Sequence, residues 1–187
     1  MSEAREEKIK RIMAVRDQDV VVVLEDIHDP HNAGAILRSC DAFGIHNVWF
    51  VFEKEKAYNP KRVGKVSSSS ANKWLEFKIF KSTEHCMDAL ESEGYHSLAT
   101  TIHENDAVSL FECGGLRNPH IDLKKGKIAL IVGNEHRGVS QDAIRRATTR
   151  ITIPMQGFVE SLNVSVTAAI FLYEIIRQRQ INVKAKP

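Results

Sequence analysis

The sequence predicts an α/β domain: a mostly parallel sheet with helices on both faces. Two observations predict it. Val20-Val21-Val22-Val23-Leu24 and the run Lys127 to Val132 are continuous apolar stretches, the character of strands buried on both faces. Between such runs stand segments of helical spacing, so strand and helix alternate along a chain of 187 residues. That length suits one domain with a sizeable core.

Residues 2–16 read as a short charged helix with a sparse apolar side of Ile9, Ile12, Met13 and Val15. The first strand, Val20 to Leu24, is broken by Asp29-Pro30. His31 to Phe43 follows with helical spacing (Ile36, Leu37, Cys40, Phe43) and stops at Gly44, which suits a helix C-terminus. Asn47 to Phe52 is a second strand. The serines Ser67 to Ser70 form either a low-complexity linker or a small-residue loop able to approach a ligand. Residues 75–80 read as a third strand, Thr83 to Glu93 as a helix ended by Gly94, and Tyr95 to Ile102 as a fourth strand. Residues 105–126 read as irregular, Lys127 to Val132 as a strand, and Ser140 to Ala147 as a short helix. Ile151, Ile153 and Pro154 form a short strand ended by proline, which has no N–H for a sheet. Gly157 opens a loop, and Ser161-Leu162-Asn163 supplies side chains that satisfy a helix N-terminus. Val164 to Ile176 is apolar nearly all round and calls for cover by its own domain and by another subunit. The division that results is a helical extension over 1–18, one domain over 19–181 and a tail over 182–187.

Composition narrows the function classes. With 26 basic and 24 acidic residues, formally +2, bulk charge does not announce a nucleic-acid binder; only local clusters can serve. No apolar run is long enough for a bilayer, and the N-terminus lacks the apolar segment of a secretory signal. Cys40, Cys86 and Cys113 are odd in number and widely spaced, as expected of reduced thiols in a cytoplasmic protein.

In open parallel sheets, ligands bind beyond the carboxyl ends of the strands, and three loops there stand out. The first runs from Glu25 to Gly34 and on to Arg38; Asn32 and Arg38, about two helical turns apart, are placed to face one cleft. The plainer readings are a helix cap for Asn32 and a surface ion pair with Asp41 for Arg38. A metal site from Asp26, His28, Asp29 and His31 is disfavoured, because a loop running into a helix does not converge four ligands. The second loop, Gly133-Asn134-Glu135-His136-Arg137-Gly138, sets a carboxylate between glycines, which let backbone groups approach a ligand. It lacks the Gly-Lys-Ser/Thr ending of a phosphate loop. The third is Gln156 to Asn163.

Taken together, Pro30-His31-Asn32-Ala33-Gly34-Ala35-Ile36-Leu37-Arg38, Gly133 to Gly138, and Ile153-Pro154-Met155 through Ser161-Leu162-Asn163-Val164-Ser165-Val166 resemble the three signatures of the SpoU branch of the SPOUT RNA 2′-O-ribose methyltransferases. The ending Leu172-Tyr173-Glu174 with Arg177-Gln178-Arg179-Gln180 is similar to that of the TrmH-like members, which act on the D-loop guanosine of tRNA. The resemblance implies S-adenosylmethionine as methyl donor, no metal, and a C-terminal trefoil knot over about 128–180. It implies a donor pocket lined by Thr100, Gly133, Glu135, Ile153, Met155 and Leu162. Arg38 is then the catalytic residue, oriented by Asn32, with Glu135, Ser161 and Asn163 shaping the site. The same resemblance implies a homodimer through the helix Val164 to Ile176, with RNA held by Arg62, Lys65, Lys10 and Arg11. A ribosomal RNA substrate is the alternative, as is a knotted RNA-binding protein without catalysis, against which the retention of Asn32, Arg38, Glu135, Ser161 and Asn163 speaks. Arginine side chains stay protonated in proteins. The expectation is therefore that Arg38 pins a phosphate and stabilises a forming alkoxide, in place of removing the proton itself.

Overall fold

A computed structural model describes residues 3–63, 71–102, 106–113 and 121–184. Its elements run α1 (Glu3–Ala14), β1 (Asp17–Glu25), α2 (Pro30–Ala42), β2 (Ile45–Val51), β3 (Glu76–Phe80), α3 (Thr83–Ser92), β4 (His96–Thr100), β5 (Val108–Ser109), β6 (Ile128–Val132), α4 (Gln141–Arg146), β7 (Thr149–Thr152) and α5 (Val164–Lys184). Three single 3-10 turns stand at Pro60–Arg62, Ala71–Lys73 and Leu110–Glu112. The strands form one sheet in the order β3-β2-β1-β6-β4-β7-β5, and every pairing is parallel.

Alternation along β1 builds two cores. Val20, Val22 and Leu24 face α2 and α5 together with Leu130 and Val132 of β6, while Val21 and Val23 face α3 and α4 with Ala129 and Ile131. The five residues from Val20 to Leu24 are at most 2% exposed, which is why the run carries no polar alternation. Caps set where helices begin: Asp29 accepts from the N–H of His31 with Pro30 in the first turn, Ser82 accepts from His85, and Ser140 accepts from Ala143.

One sequence expectation shifts. The segment read as irregular holds β5, which joins the outer edge of the sheet beside β7; two residues are too few to leave a periodic signature. The last helix runs over Val164–Lys184. Its Ala168, Phe171, Leu172, Ile175 and Ile176 are buried by its own domain, against α2 and β6. Val166 and Tyr173, by contrast, are 46% and 56% exposed, so only part of that apolar surface is covered within the chain. The serine run Ser67 to Ser70 lies outside the described residues.

β1 lies between β2 and β6, and the helices that follow β1 and β6 pack on opposite faces of the sheet. The connections therefore diverge beyond the carboxyl ends of β1 and β6, the place where open α/β sheets form a ligand crevice. The loops after these two strands are two of the three singled out in the sequence.

Candidate active site

The site begins with the backbone at the end of β1. Asp26 adopts φ +52, a conformation few side-chain-bearing residues take up, and its carboxylate compensates by accepting the N–H groups of Glu53, Lys54 and Glu55 at 2.8–3.1 Å. The turn sends residues 27–29 towards the loop after β6. There Glu135 receives them: its Oε2 accepts from the His28 N–H at 2.8 Å, and its Oε1 accepts from the Asp29 N–H at 3.1 Å and from Asn32 Nδ2 at 2.8 Å. Asn32 completes the chain, its Oδ1 accepting from Asn163 Nδ2 at 3.0 Å. Asn163 in turn caps α5, taking the N–H and hydroxyl of Ser165 at 2.8 and 2.6 Å. Three loops remote in sequence are thus tied by one relay, Glu135 to Asn32 to Asn163. Burial pushes the Glu135 carboxyl up, but the donors from Asn32, His28 and Asp29 outweigh it and hold the group below its ordinary range. It is a carboxylate at neutral pH.

The loop after β6 is closed on itself. Asn134 accepts at its carbonyl from the Gly138 N–H (2.8 Å), while its side-chain oxygen takes the N–H groups of His136 (2.9 Å) and Arg137 (3.1 Å). Its Nδ2 donates to the Asp26 carbonyl at 2.8 Å. Gly133 is dictated by this return: a Cβ there would lie within 3.0 Å of the Gly138 carbonyl and the Val139 nitrogen. At Gly133 the missing side chain admits the close return of the loop's own backbone. Gly138, at φ +68, supplies the left-handed turn.

The remaining expected residues fall into distinct settings. Arg38 is exposed on α2 and has no hydrogen bond or ion pair among the described residues. Asp41, its plainer partner, is held by Arg16. At about 100° per residue, six positions turn Arg38 roughly 120° away from Asn32 around the helix. Asn32 therefore spends its amide on Glu135 and Asn163, not on orienting Arg38. Ser161 is exposed, and residues 155–162 make no hydrogen bond to another described residue. Within them Met155 and Leu162 are half-buried, so their backbone groups are open donors and acceptors in a sheltered place. That suits a donor molecule gripped by main-chain atoms, and it is the observation on which these residues fit S-adenosylmethionine. Ile153 is half-buried beside them. The Thr100 hydroxyl donates its proton to the Ile131 carbonyl at 3.1 Å, which leaves that oxygen free only to accept.

Lys10 and Arg11 are exposed on α1, and Arg62 is exposed in the turn whose first N–H groups Asn59 caps; Lys65 lies outside the described residues. Of the disfavoured metal set, Asp26 is spent on three N–H groups, Asp29 on the His31 N–H at 2.8 Å, and His28 on Glu55 at 2.8 Å. The sequence reading gave no role to Glu25 or Asn134, which it quoted within its loops, and missed Glu55. Glu25 is 3% exposed and accepts from Thr83 Oγ1, Ser140 N and Ser140 Oγ at 2.5–2.8 Å, fixing the starts of α3 and α4. A glutamate ending an apolar strand was its only visible signal.

Comparison with known proteins places this geometry. A protein of Thermus thermophilus named tRNA (guanosine(18)-2'-O)-methyltransferase is 36% identical over 183 residues, covering 95% of this chain and 84% of that protein. The solved structure of the A. aeolicus TrmH/SpoU tRNA modifying enzyme superposes with a TM-score of 0.81 at 29% identity, over 96% of this chain and 86% of that one. The SpoU methyltransferase AviRb from Streptomyces viridochromogenes, solved in complex with AdoMet, gives a TM-score of 0.72 at 28% identity, over 92% and 64% of the two chains. The model of the SpoU rRNA Methylase family matches residues 19–173, the span that holds all three tied loops. The chain belongs to the SpoU methylase family.

Proposed function

We propose that this chain transfers the methyl group of S-adenosylmethionine to a ribose 2′-hydroxyl of RNA, with tRNA as substrate. The observation that carries the reading is the relay from Glu135 through Asn32 to Asn163, which gathers the family's three signature loops at the carboxyl end of the sheet. When bound, the donor would supply a sulfonium methyl carbon: the S–CH3 bond breaks as the ribose C–O bond forms, the cofactor leaves neutral, and the hydroxyl proton passes to solvent water. The unpaired main-chain groups of Met155 and Leu162 hold the donor, and the anchored loop from Gly133 to Gly138 walls it. Arg38, charged and without a partner among the described residues, takes a substrate phosphate and lowers the cost of the forming alkoxide. Ser161, exposed beside half-buried Leu162, shapes the ribose position together with Glu135 and Asn163. Positioning supplies much of the remaining rate.

The same reading includes a trefoil knot over about 128–180 and a homodimer; support comes from the tie between Asn163 and Asn32 and from the packing of α5 on α2 and β6. For the dimer, support comes from Val166 and Tyr173 on α5 and from Phe158 and Val159 before it, all left exposed. RNA then lies against Arg62, Lys65, Lys10 and Arg11, contacts that go to phosphate and ribose more than to base edges. Among the described residues no helix is long and apolar enough to cross a membrane; three buried thiols favour the cytoplasm. A ribosomal RNA substrate is the second reading, favoured by the family's own description. Tritiated-methyl transfer to bulk tRNA and to rRNA, followed by nucleoside mapping, decides between them. Label in a 2′-O-methylated nucleoside of tRNA is the expected result, label in rRNA alone moves the substrate, and label in neither removes the activity.

A further inference from the structure

The relay through Glu135 has a counterpart on the outer side of the same two loops. Glu55, in the segment after β2, reaches both of them. Its Oε2 meets His28 Nδ1 at 2.8 Å, while its Oε1 accepts from Arg137 Nη2 at 2.7 Å and from Asn134 Nδ2 at 3.3 Å. Its own N–H is held by Asp26 at 3.1 Å, so the strap is anchored at its root. The carboxylate is 17% exposed, whereas Arg137 and His28 are 47% and 61% exposed; the acceptor is sheltered and the donors close over it.

We propose that Glu55 is a positioning residue for the methyl-donor pocket: it clamps the loop entering α2 to the loop after β6 and so fixes the wall in which Glu135 stands. The proposal rests on the donor reading given above. Without Glu55, Asn134 retains the Asp26 carbonyl, but Arg137 and His28 lose their shared acceptor. The loop from Gly133 to Gly138 is then held from one side only. The clamp also depends on protonation. His28 is faced by Glu55, by Glu135 and His136 of the second loop, and by Asp29 of its own; Arg137 and Asp26 complete the charges around Glu55. The Glu55 hydrogen bond, opposed by a small cost of desolvation and helped by the charges of Glu135 and Asp29, raises the His28 pKa.

A glutamine at this position separates clamping from charge. Its oxygen can serve Arg137 and Asn134 while its NH2 donates to neutral His28, but it offers nothing to a protonated His28. The test uses the full chain as wild type, Glu55→Ala and Glu55→Gln, with two readouts: amide hydrogen exchange over residues 134–138 without ligand, and S-adenosylmethionine affinity by calorimetry. Glu55→Ala is expected to speed exchange at His136 and Arg137 and to weaken donor binding about five-fold, the upper range for an exposed ion pair, raising the donor KM more than it lowers kcat. Glu55→Gln is expected to match wild type at about pH 8; at about pH 5.5, where histidine is protonated, it is expected to lose the His28 contact while its oxygen still holds Arg137 and Asn134, and so to fall between wild type and alanine. Unchanged exchange and affinity in Glu55→Ala overturn the proposal, as does a glutamine variant no better than alanine at the higher pH. Should wild type ignore the donor, the donor reading fails, while hydrogen exchange still decides whether Glu55 holds the loop.

Discussion

Substituting Gly133 by alanine tests how the site is walled. The added Cβ falls within 3.0 Å of three backbone atoms, the carbonyl carbon and oxygen of Gly138 and the nitrogen of Val139. No flexible side chain is there to yield. The return is also fastened by the Gly138 N–H on the Asn134 carbonyl at 2.8 Å, so the loop must break that bond or shift bodily. Overpacking costs about 1–3 kcal/mol, and a backbone neighbour puts this case at about 3. For a chain of this size that lowers Tm by roughly 6–12 °C. If the same distortion is charged to the bound state, donor affinity falls about a hundred-fold, at 1.4 kcal/mol per decade. Gly138→Ala is the control: it meets nothing within 4 Å and pays only for its φ of +68, about 1–2 kcal/mol. Calorimetry, scanning for Tm and titrating for S-adenosylmethionine, gives both quantities. The reasoning is refuted if Gly133→Ala binds and melts as wild type does, or if Gly138→Ala is the more damaging change.

Other consequences can be checked in parallel. Arg38→Ala is expected to reduce kcat at least a hundred-fold, the scale of losing one transition-state charge partner, with Tm unchanged because Arg38 has no partner among the described residues; Arg38→Lys should recover a substantial part if charge is what matters, and full loss with lysine contradicts the electrostatic role. Glu135 has a folded pKa below its ordinary 4.5, so its stabilisation is present above that pH and is lost as pH falls through the folded value. The Tm gap between wild type and Glu135→Gln should therefore close on acidification below about 4.5, and a gap independent of pH contradicts the assignment. Glu25→Ala removes the acceptor for Thr83 and Ser140 and should cost about 2–4 kcal/mol in denaturant unfolding. Burial pushes the Cys40 and Cys86 thiols up to about 12 and Cys113 up to about 11, so a thiol reagent at neutral pH should label them only after unfolding.

Much of the architecture was legible because it rests on local signals. The valine run named a strand buried on both faces, but Asp29-Pro30 was read only as the break after it; in the structure Asp29 caps α2 with Pro30 in its first turn, so Asn32 lies inside the helix and is not its cap. Parallel pairing followed from the alternation of strands with helices. The two-residue β5 left no period to read, and the sheet order is a matter of crossovers that residue patterns do not encode. In the site, Asn32, Glu135 and Asn163 were found through their signatures, and the structure joins them directly. Glu55 was invisible for a physical reason: it sits in the polar run Glu53 to Lys56, where a clamp and a solvated charge look alike in sequence. Six positions set Asn32 and Arg38 roughly 120° apart around the helix, and the hydrogen bonds of Asn32 go to Glu135 and Asn163.

The most direct test is an amide NMR titration of the isotope-labelled chain with S-adenosylhomocysteine, the demethylated product of the donor. The structure predicts that the largest shift changes fall on Gly133 to Gly138 and on Met155 and Leu162, and that Asn163→Ala weakens all of them together. Shifts confined to other loops, or no shifts at saturating ligand, contradict the central claim that the loop after β6 and the loop before α5 make the donor site.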